Sequence, residues 1–236
     1  MKLTLIIIGF ILVMISCKKD EVKTIQYNEL SAFNKLDVRS PFVVFLAEDS
    51  VYYIEVTGYE NETDNLIFTV TDSTLKITNN AGFKFVTPRR NRIKVIVHSP
   101  PLKMVMIEDC ILRTLKPVTS VNGFGLVFSG KACEAFLELN CKELYYWNNF
   151  PCGGKLKLTG NTEILKLWNF AIAGVDAENL STGFAEVKNS SKGDCSVNVN
   201  DRLVYSITGE GNIHLWGNPS EVIQLEMTSD GRLIRH

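Results

Sequence analysis

Apolar and polar positions alternate in short runs through the first half of the chain. Phe33-Asn34-Lys35-Leu36-Asp37-Val38 and Tyr53-Ile54-Glu55-Val56-Thr57 carry the two-residue period of a strand with one buried face. Leu66–Val70 and Thr74–Thr78 flank Thr71-Asp72-Ser73, which reads as a hairpin. In Arg92–His98, Ile93, Val95 and Val97 share one face and Lys94 and His98 the other. Ser99-Pro100-Pro101 stops that strand. Residues 25–100 are therefore expected to be short antiparallel strands. No long segment has a 3.6-residue period, so no substantial helix is expected.

From residue 102 the pattern becomes a repeat. A step of 20 aligns Ile107, Val127, Trp147, Leu167, Val187, Ile207 and Met227, all apolar. It also aligns Asp109, Ser129, Asn149, Asn169, Asn189, Gly209 and Ser229, nearly all of them turn or cap residues. A period near 20 over seven units predicts a β-solenoid, each rung giving a short strand, a corner and a second strand. Rungs stack about 4.8 Å apart, which places Asn149, Asn169 and Asn189 in an amide ladder. Inward residues of the second strand are expected at Cys133-Ala135-Leu137, Ala173-Val175-Ala177 and Cys195-Val197-Val199. One rung slips by a residue, with Leu156 and Leu158 inward and the extra residue in Pro151-Cys152-Gly153-Gly154. Asn140, Gly160 and Asn200 mark a second set of corners.

The opening residues read as an address. Lys2 precedes a nearly pure apolar run from Leu3 to Ile15, too short to span a bilayer comfortably and suited to a signal peptide. Met14-Ile15-Ser16-Cys17 resembles a bacterial lipobox, which implies acylation of Cys17 and cleavage before it. The following Lys19-Asp20-Glu21 resembles the surface-export tag of Bacteroidetes lipoproteins. The expected partner of the acyl chains is the outer membrane, with the protein facing outward.

Net charge is −1 from 25 basic and 26 acidic residues, which leaves no field to hold nucleic acid. With only His98, His214 and His236, no metal centre, cofactor or Ser/His/Asp arrangement is expected. Beyond Cys17 the cysteines number five, at 110, 133, 141, 152 and 195, with no zinc spacing. They read as small buried hydrophobes, with a Cys133–Cys152 disulfide as the alternative. Outward acids Glu186 and Glu226 alternate with Ser206 and neighbouring lysines, as on a solvated face. The basic run Lys84, Arg89, Arg90 and Arg92 reads as a solvated hairpin loop, with an anionic glycan as the alternative. The strongest anomaly is a set of outward positions carrying Met106, Leu126, Phe128, Tyr146 and Trp168, with Asn148, Asn149 and Asn169 beside them. Rings next to amides suit a glycan or a partner protein. The alternative is that the strands of 25–100 pack over them.

These segments together are similar to the putative autotransporter adhesin family called the head GIN domain. Phe42-Val43-Val44-Phe45-Leu46, Asp72-Ser73-Thr74-Leu75-Lys76-Ile77 and Ile93-Lys94-Val95-Ile96-Val97 carry the resemblance, as does Gly209-Glu210-Gly211-Asn212-Ile213. It implies an all-β, right-handed β-helix-like solenoid and an adhesion role in a Bacteroidetes envelope. The middle rungs depart from the family's glycine-rich corners, with Trp147-Asn148-Asn149-Phe150 and Trp168-Asn169-Phe170 instead. The expected organisation is a signal peptide over 1–16, a tether over 17–27 and one solenoid domain over 28–233. Within it, 28–100 is strand-rich, packed on or continuous with the seven-rung repeat of 101–233. The expected function is a non-enzymatic, lipid-anchored adhesin or interaction scaffold. A polysaccharide-binding or polysaccharide-degrading β-helix protein is one alternative. A structural or regulatory envelope protein that binds a neighbouring protein is another.

Overall fold

The computed structural model describes residues 22–27, 30–80, 93–149 and 152–236. Cys17, Lys19, Asp20, Glu21 and the basic run of Lys84, Arg89, Arg90 and Arg92 lie outside them. In chain order the described strands begin with β1 (Val22–Tyr27), β2 (Lys35–Arg39), β3 (Val43–Glu48) and β4 (Tyr53–Tyr59). A single helical turn, α1 (Glu60–Thr63), leads to β5 (Leu66–Thr71), β6 (Thr74–Asn79), β7 (Lys94–Ser99), β8 (Met104–Glu108), β9 (Ile111–Thr114) and β10 (Phe124–Phe128). Four long strands follow: β11 (Cys133–Asn148), β12 (Gly153–Asn169), β13 (Ile172–Asn189) and β14 (Cys195–Ile207). The chain ends with β15 (Ile213–Trp216), β16 (Glu221–Met227) and β17 (Leu233–Arg235).

These strands coil into a β-solenoid with two long faces. The first face stacks β5-β6-β2-β8-β10, then the C-terminal halves of β11 to β14, then β16. The second stacks β1-β4-β7-β3-β9, then the N-terminal halves of β11 to β14, then β15 and β17. All neighbours are parallel except β5–β6, β1–β4 and β4–β7, which close the N-terminal end with antiparallel pairs. Thr71-Asp72-Ser73-Thr74 forms the expected hairpin turn. Asp72 and Ser73 both have positive φ, 49° and 57°, the backbone of the turn that matches strand twist.

The strands before residue 100 are continuous with the repeat, but in a shuffled order. The β6–β7 layer comes first, β2–β3 is slotted beneath it, and β8–β9 pairs with β2–β3. The expectation of antiparallel strands over 25–100 therefore holds only for the outer strands. Inside, alternate residues point to a dry lumen: Leu36 and Val38, Leu75 and Ile77, Val105 and Ile107, Leu165 and Leu167 are all fully buried. The expected inward triplets of the second strand, including Cys133-Ala135-Leu137 and Cys195-Val197-Val199, are buried as well. Parallel in-register stacking buries both the backbone ladder and one side of every strand, so few apolar residues per rung suffice.

The rung length is not constant, and this displaces one part of the sequence reading. Register runs Ile107↔Phe128↔Asn148↔Asn169↔Asn189↔Ile207, so the intervals alternate between 21 and 20 residues before a shorter last one. A single extra residue inverts which side chains face inward. The extra residue between 107 and 128 inverts the phase on the first face, at residues 124–128 and 144–148, while Cys133–Leu139 on the second face keep the expected one. The one between 148 and 169, expected near Pro151-Cys152-Gly153-Gly154, restores it.

Candidate functional site

The predicted patch divides between lumen and surface. Phe128, Tyr146, Asn148 and Asn169 are at most 1% exposed, so none of them meets a ligand. Phe128, Tyr146 and Asn148 are core because the inverted phase turns them into the solenoid, not because other strands cover them, and Asn169 is the next inward position after Leu165 and Leu167. Phe128 meets Tyr146 edge to face at 5.1 Å, a favoured aromatic geometry. Burial pushes the Tyr146 phenol well above its ordinary pKa. Its hydroxyl accepts from Asn148 Nδ2 at 2.8 Å.

Asn148 also starts the amide ladder, in place of the expected Asn149. Asn148 Nδ2 donates to Asn169 Oδ1 at 2.7 Å, and Asn169 Nδ2 to Asn189 Oδ1 at 3.3 Å. Asn189 Nδ2 donates on to the Gly211 carbonyl at 3.0 Å. Asn148 Oδ1 accepts from the backbone of Phe170 and Ala171, at 2.7 and 3.2 Å, and so fixes the next corner. The ladder is a corner brace inside the wall. The cysteines lie in the same dry interior. Cys110, Cys133, Cys141, Cys152 and Cys195 are all buried and free, so the Cys133–Cys152 disulfide is not formed. Burial drives the Cys195 thiol up to about 12.

Outside the brace stands a ridge. Trp147 (41% exposed) and Trp168 (37%) are register partners on adjacent rungs, and Phe170 and Ile172 continue from Trp168. Each tryptophan is outward because the asparagine after it is held inward. Trp147 Nε1 donates to the exposed Asn149 Oδ1 at 3.3 Å. Lys188, next in register, places Nζ 4.9 Å from the Trp168 ring centroid and is paired with Glu186 at 2.9 Å. Lys166 and Glu143 pair at 2.6 Å on the same face. Fixed 20-residue steps put Trp147 inside. Aligning the two Trp-Asn dipeptides, 21 residues apart, finds the ridge.

A third, short face joins the two long ones and carries a groove of about 780 Å3. Its floor is small, formed by Cys141 and Thr162; these and Thr182, next in register, point inward and bond the carbonyl two residues on, turning the chain at each rung. Outward in register stand Asn140, Asn161 and Ser181; Asn200, two residues past the register partner of Ser181, donates its Nδ2 to Ser181 Oγ at 2.9 Å. Lys142 and Glu163 form the next outward column.

Elsewhere, His98 is stacked on Tyr53 with centroids 3.8 Å apart. His214 Nδ1 meets His236 Nε2 at 3.0 Å, and its Nε2 meets Asp194 at 3.2 Å, on the exposed last rungs. Among the described residues no group of three His, Cys, Asp or Glu is placed to hold a metal ion.

A family described as "Putative auto-transporter adhesin, head GIN domain" matches residues 32–219. The chain belongs to this family. Among solved structures, a putative adhesin from Bacteroides fragilis superposes with a TM-score of 0.79 at 19% identity, covering 92% of this chain and 97% of that one. A putative adhesin from Parabacteroides merdae has a TM-score of 0.61 at 16% identity, over 92% and 97% of the two chains. A protein from Parabacteroides distasonis described as a putative lipid binding protein has a TM-score of 0.57 at 18% identity, over 92% and 98%. At these identities the likeness is one of fold. No curated protein matches the chain.

Proposed function

We propose that this head GIN chain is a lipid-anchored, outward-facing adhesion scaffold of the outer membrane that acts by binding and not by catalysis. Its contact face is the ridge of Trp147, Trp168, Phe170 and Ile172. The observation that carries the reading is that two tryptophans are exposed in register on adjacent rungs, with Phe170 and Ile172 exposed around the corner that follows Trp168. Paired charges, Lys166–Glu143 and Lys188–Glu186, surround them. An aromatic centre with a polar rim is the composition of a protein-binding hot spot, and the matching partner is another envelope protein. Cys17, in its lipobox-like setting, supplies the anchor, and Lys19-Asp20-Glu21 the outward sorting.

The test uses the full chain in a diderm bacterial host. Metabolic labelling with an alkyne fatty acid is expected to mark the wild type and not Cys17→Ser, and external protease is expected to remove the anchored protein. Partners cross-linked on cells are expected to be lost in Trp147→Ala/Trp168→Ala, since losing a hot-spot tryptophan costs about 2 kcal/mol, near thirtyfold in affinity. An unlabelled wild type refutes the anchor. A partner retained by the double variant refutes the ridge.

A further inference from the structure

We infer that the groove on the third face is a binding site for an extended, neutral, hydroxyl-rich glycan strand running along the solenoid axis. This site is separate from the tryptophan ridge and does not depend on it. The groove crosses the strands, where main-chain groups are already paired rung to rung, so an occupant must be read by side chains alone. Those side chains repeat. Asn140, Asn161 and Ser181 are direct register partners, with Asn200 beside Ser181 on the next rung. Three spacings of about 4.8 Å make a polar track about 14 Å long.

The chemistry of the track selects the ligand. Asn140 and Asn161 are exposed and make no side-chain hydrogen bond among the described residues. On two adjacent rungs a free amide therefore offers donors and an acceptor, as a sugar hydroxyl, both donor and acceptor, requires, and the bonded Ser181–Asn200 pair continues the polar line. A repeating ligand meets a repeating wall, so one contact geometry serves several units. Charge argues against an acidic polymer, because Glu163 and Asp201 outnumber Lys142 in the lining and none of the three has an ion-pair partner among the described residues. Val121, 74% exposed, and the half-buried Phe184 add apolar surface at different rungs of the groove, where sugar C–H faces can rest. The volume of about 780 Å3 falls within the 300–1,000 Å3 range usual for ligand sites. The floor of Cys141 and Thr162 is held by its own hydrogen bonds, so the trough is formed before any ligand arrives.

The experiment presents the full chain in proteoliposomes to immobilised neutral polysaccharides (glucan, mannan, galactan, xylan) and to anionic ones (polyuronate, sulfated glycan). Binding to at least one neutral polymer and to no anionic one is expected. Asn140→Ala/Asn161→Ala is expected to weaken it at least tenfold with an unchanged melting temperature. Asn140→Asp/Asn161→Asp, which keeps shape and removes the amide donors, is expected to do the same. Trp147→Ala/Trp168→Ala is expected to leave it unchanged. Absence of neutral-glycan binding, preference for an anionic polymer, retention by both groove variants, or loss in the ridge variant would each overturn the inference. Only the last of these would leave the ridge itself standing as the glycan contact.

Discussion

Truncating Asn169 tests whether the amide ladder sits where the register puts it. Asn169 Oδ1 accepts from Asn148 Nδ2 at 2.7 Å, while its own Nδ2 donates to the Ala173 carbonyl at 2.7 Å and to Asn189 at 3.3 Å. In Asn169→Ala, Ala173 O keeps the longer bond from Ser191 Oγ at 3.4 Å, and Asn189 Oδ1 keeps the Ser191 amide. Asn148 Nδ2 retains Tyr146 but loses the partner of its second hydrogen, in a fully buried site. One stranded buried N–H costs about 1–3 kcal/mol. The amide-sized void adds about 1 kcal/mol. The sum is about 3 kcal/mol, or about 6–12 °C in melting temperature for a chain of this size. The control is Asn149→Ala, an exposed change expected to stay within about 0.5 kcal/mol. Far-UV circular dichroism of the full chain in detergent, by heat and by urea, compares the variants by midpoint, because a solenoid can open rung by rung. A shift under about 2 °C for Asn169→Ala, or an equal shift for Asn149→Ala, would refute the register argument.

Three further outcomes follow from the same geometry. Gly160 has φ +100°, and a Cβ there would lie 2.1 Å from the Leu139 carbonyl oxygen, so Gly160→Ala is expected to destabilise by more than about 2 kcal/mol in the same melts. Gly174 has open space within 4 Å of its would-be Cβ, and Gly174→Ala is expected to be neutral or stabilising by up to about 1 kcal/mol. With its thiol held up to about 12 by burial, Cys195 is expected to resist iodoacetamide at pH 8 in the folded chain and to react fully in guanidinium, read by peptide mass. Rapid native labelling of Cys195 would contradict the sealed lumen.

Much of this fold was legible because a solenoid writes its period into the chain. The hairpin at Asp72-Ser73, the strand ending at Ser99 and the inward second-strand triplets all follow from local alternation. The phase of residues 124–128 and 144–148 did not follow, because a fixed step cannot absorb a 21-residue rung, and one residue is enough to put Trp147 on the surface in place of Tyr146. The interleaving of β2–β3 between β6–β7 and β8–β9 was not legible at all. It is a choice among strands of similar alternation, made by long-range packing and not by any local pattern. The groove was half visible. Asn140 and Asn200 were read as corners, but Asn161, 21 residues after Asn140, falls in column only once the rung length is allowed to vary.

The parallel stack separates what holds the protein together from what it touches. Backbone ladders and inward columns carry stability: Leu165, Leu167 and the asparagine brace are buried and bonded within the wall. Outward columns at the ridge and groove are bound only loosely to the rest, as the exposed Trp147 and Asn161 show. Such positions can change with little effect on folding, provided the inward alternation persists. This accounts for a shared fold at a TM-score of 0.79 with only 19% identity to the putative adhesin from Bacteroides fragilis. What two such chains must share is a rung length and an inward pattern, which specify no ligand. Binding identity therefore resides in the outward columns. In this chain they carry two different chemistries, an aromatic ridge on a long face and an amide track on the short one. Rigid rungs hold both in fixed register on separate faces, so substitutions in one column leave the geometry of the other unchanged.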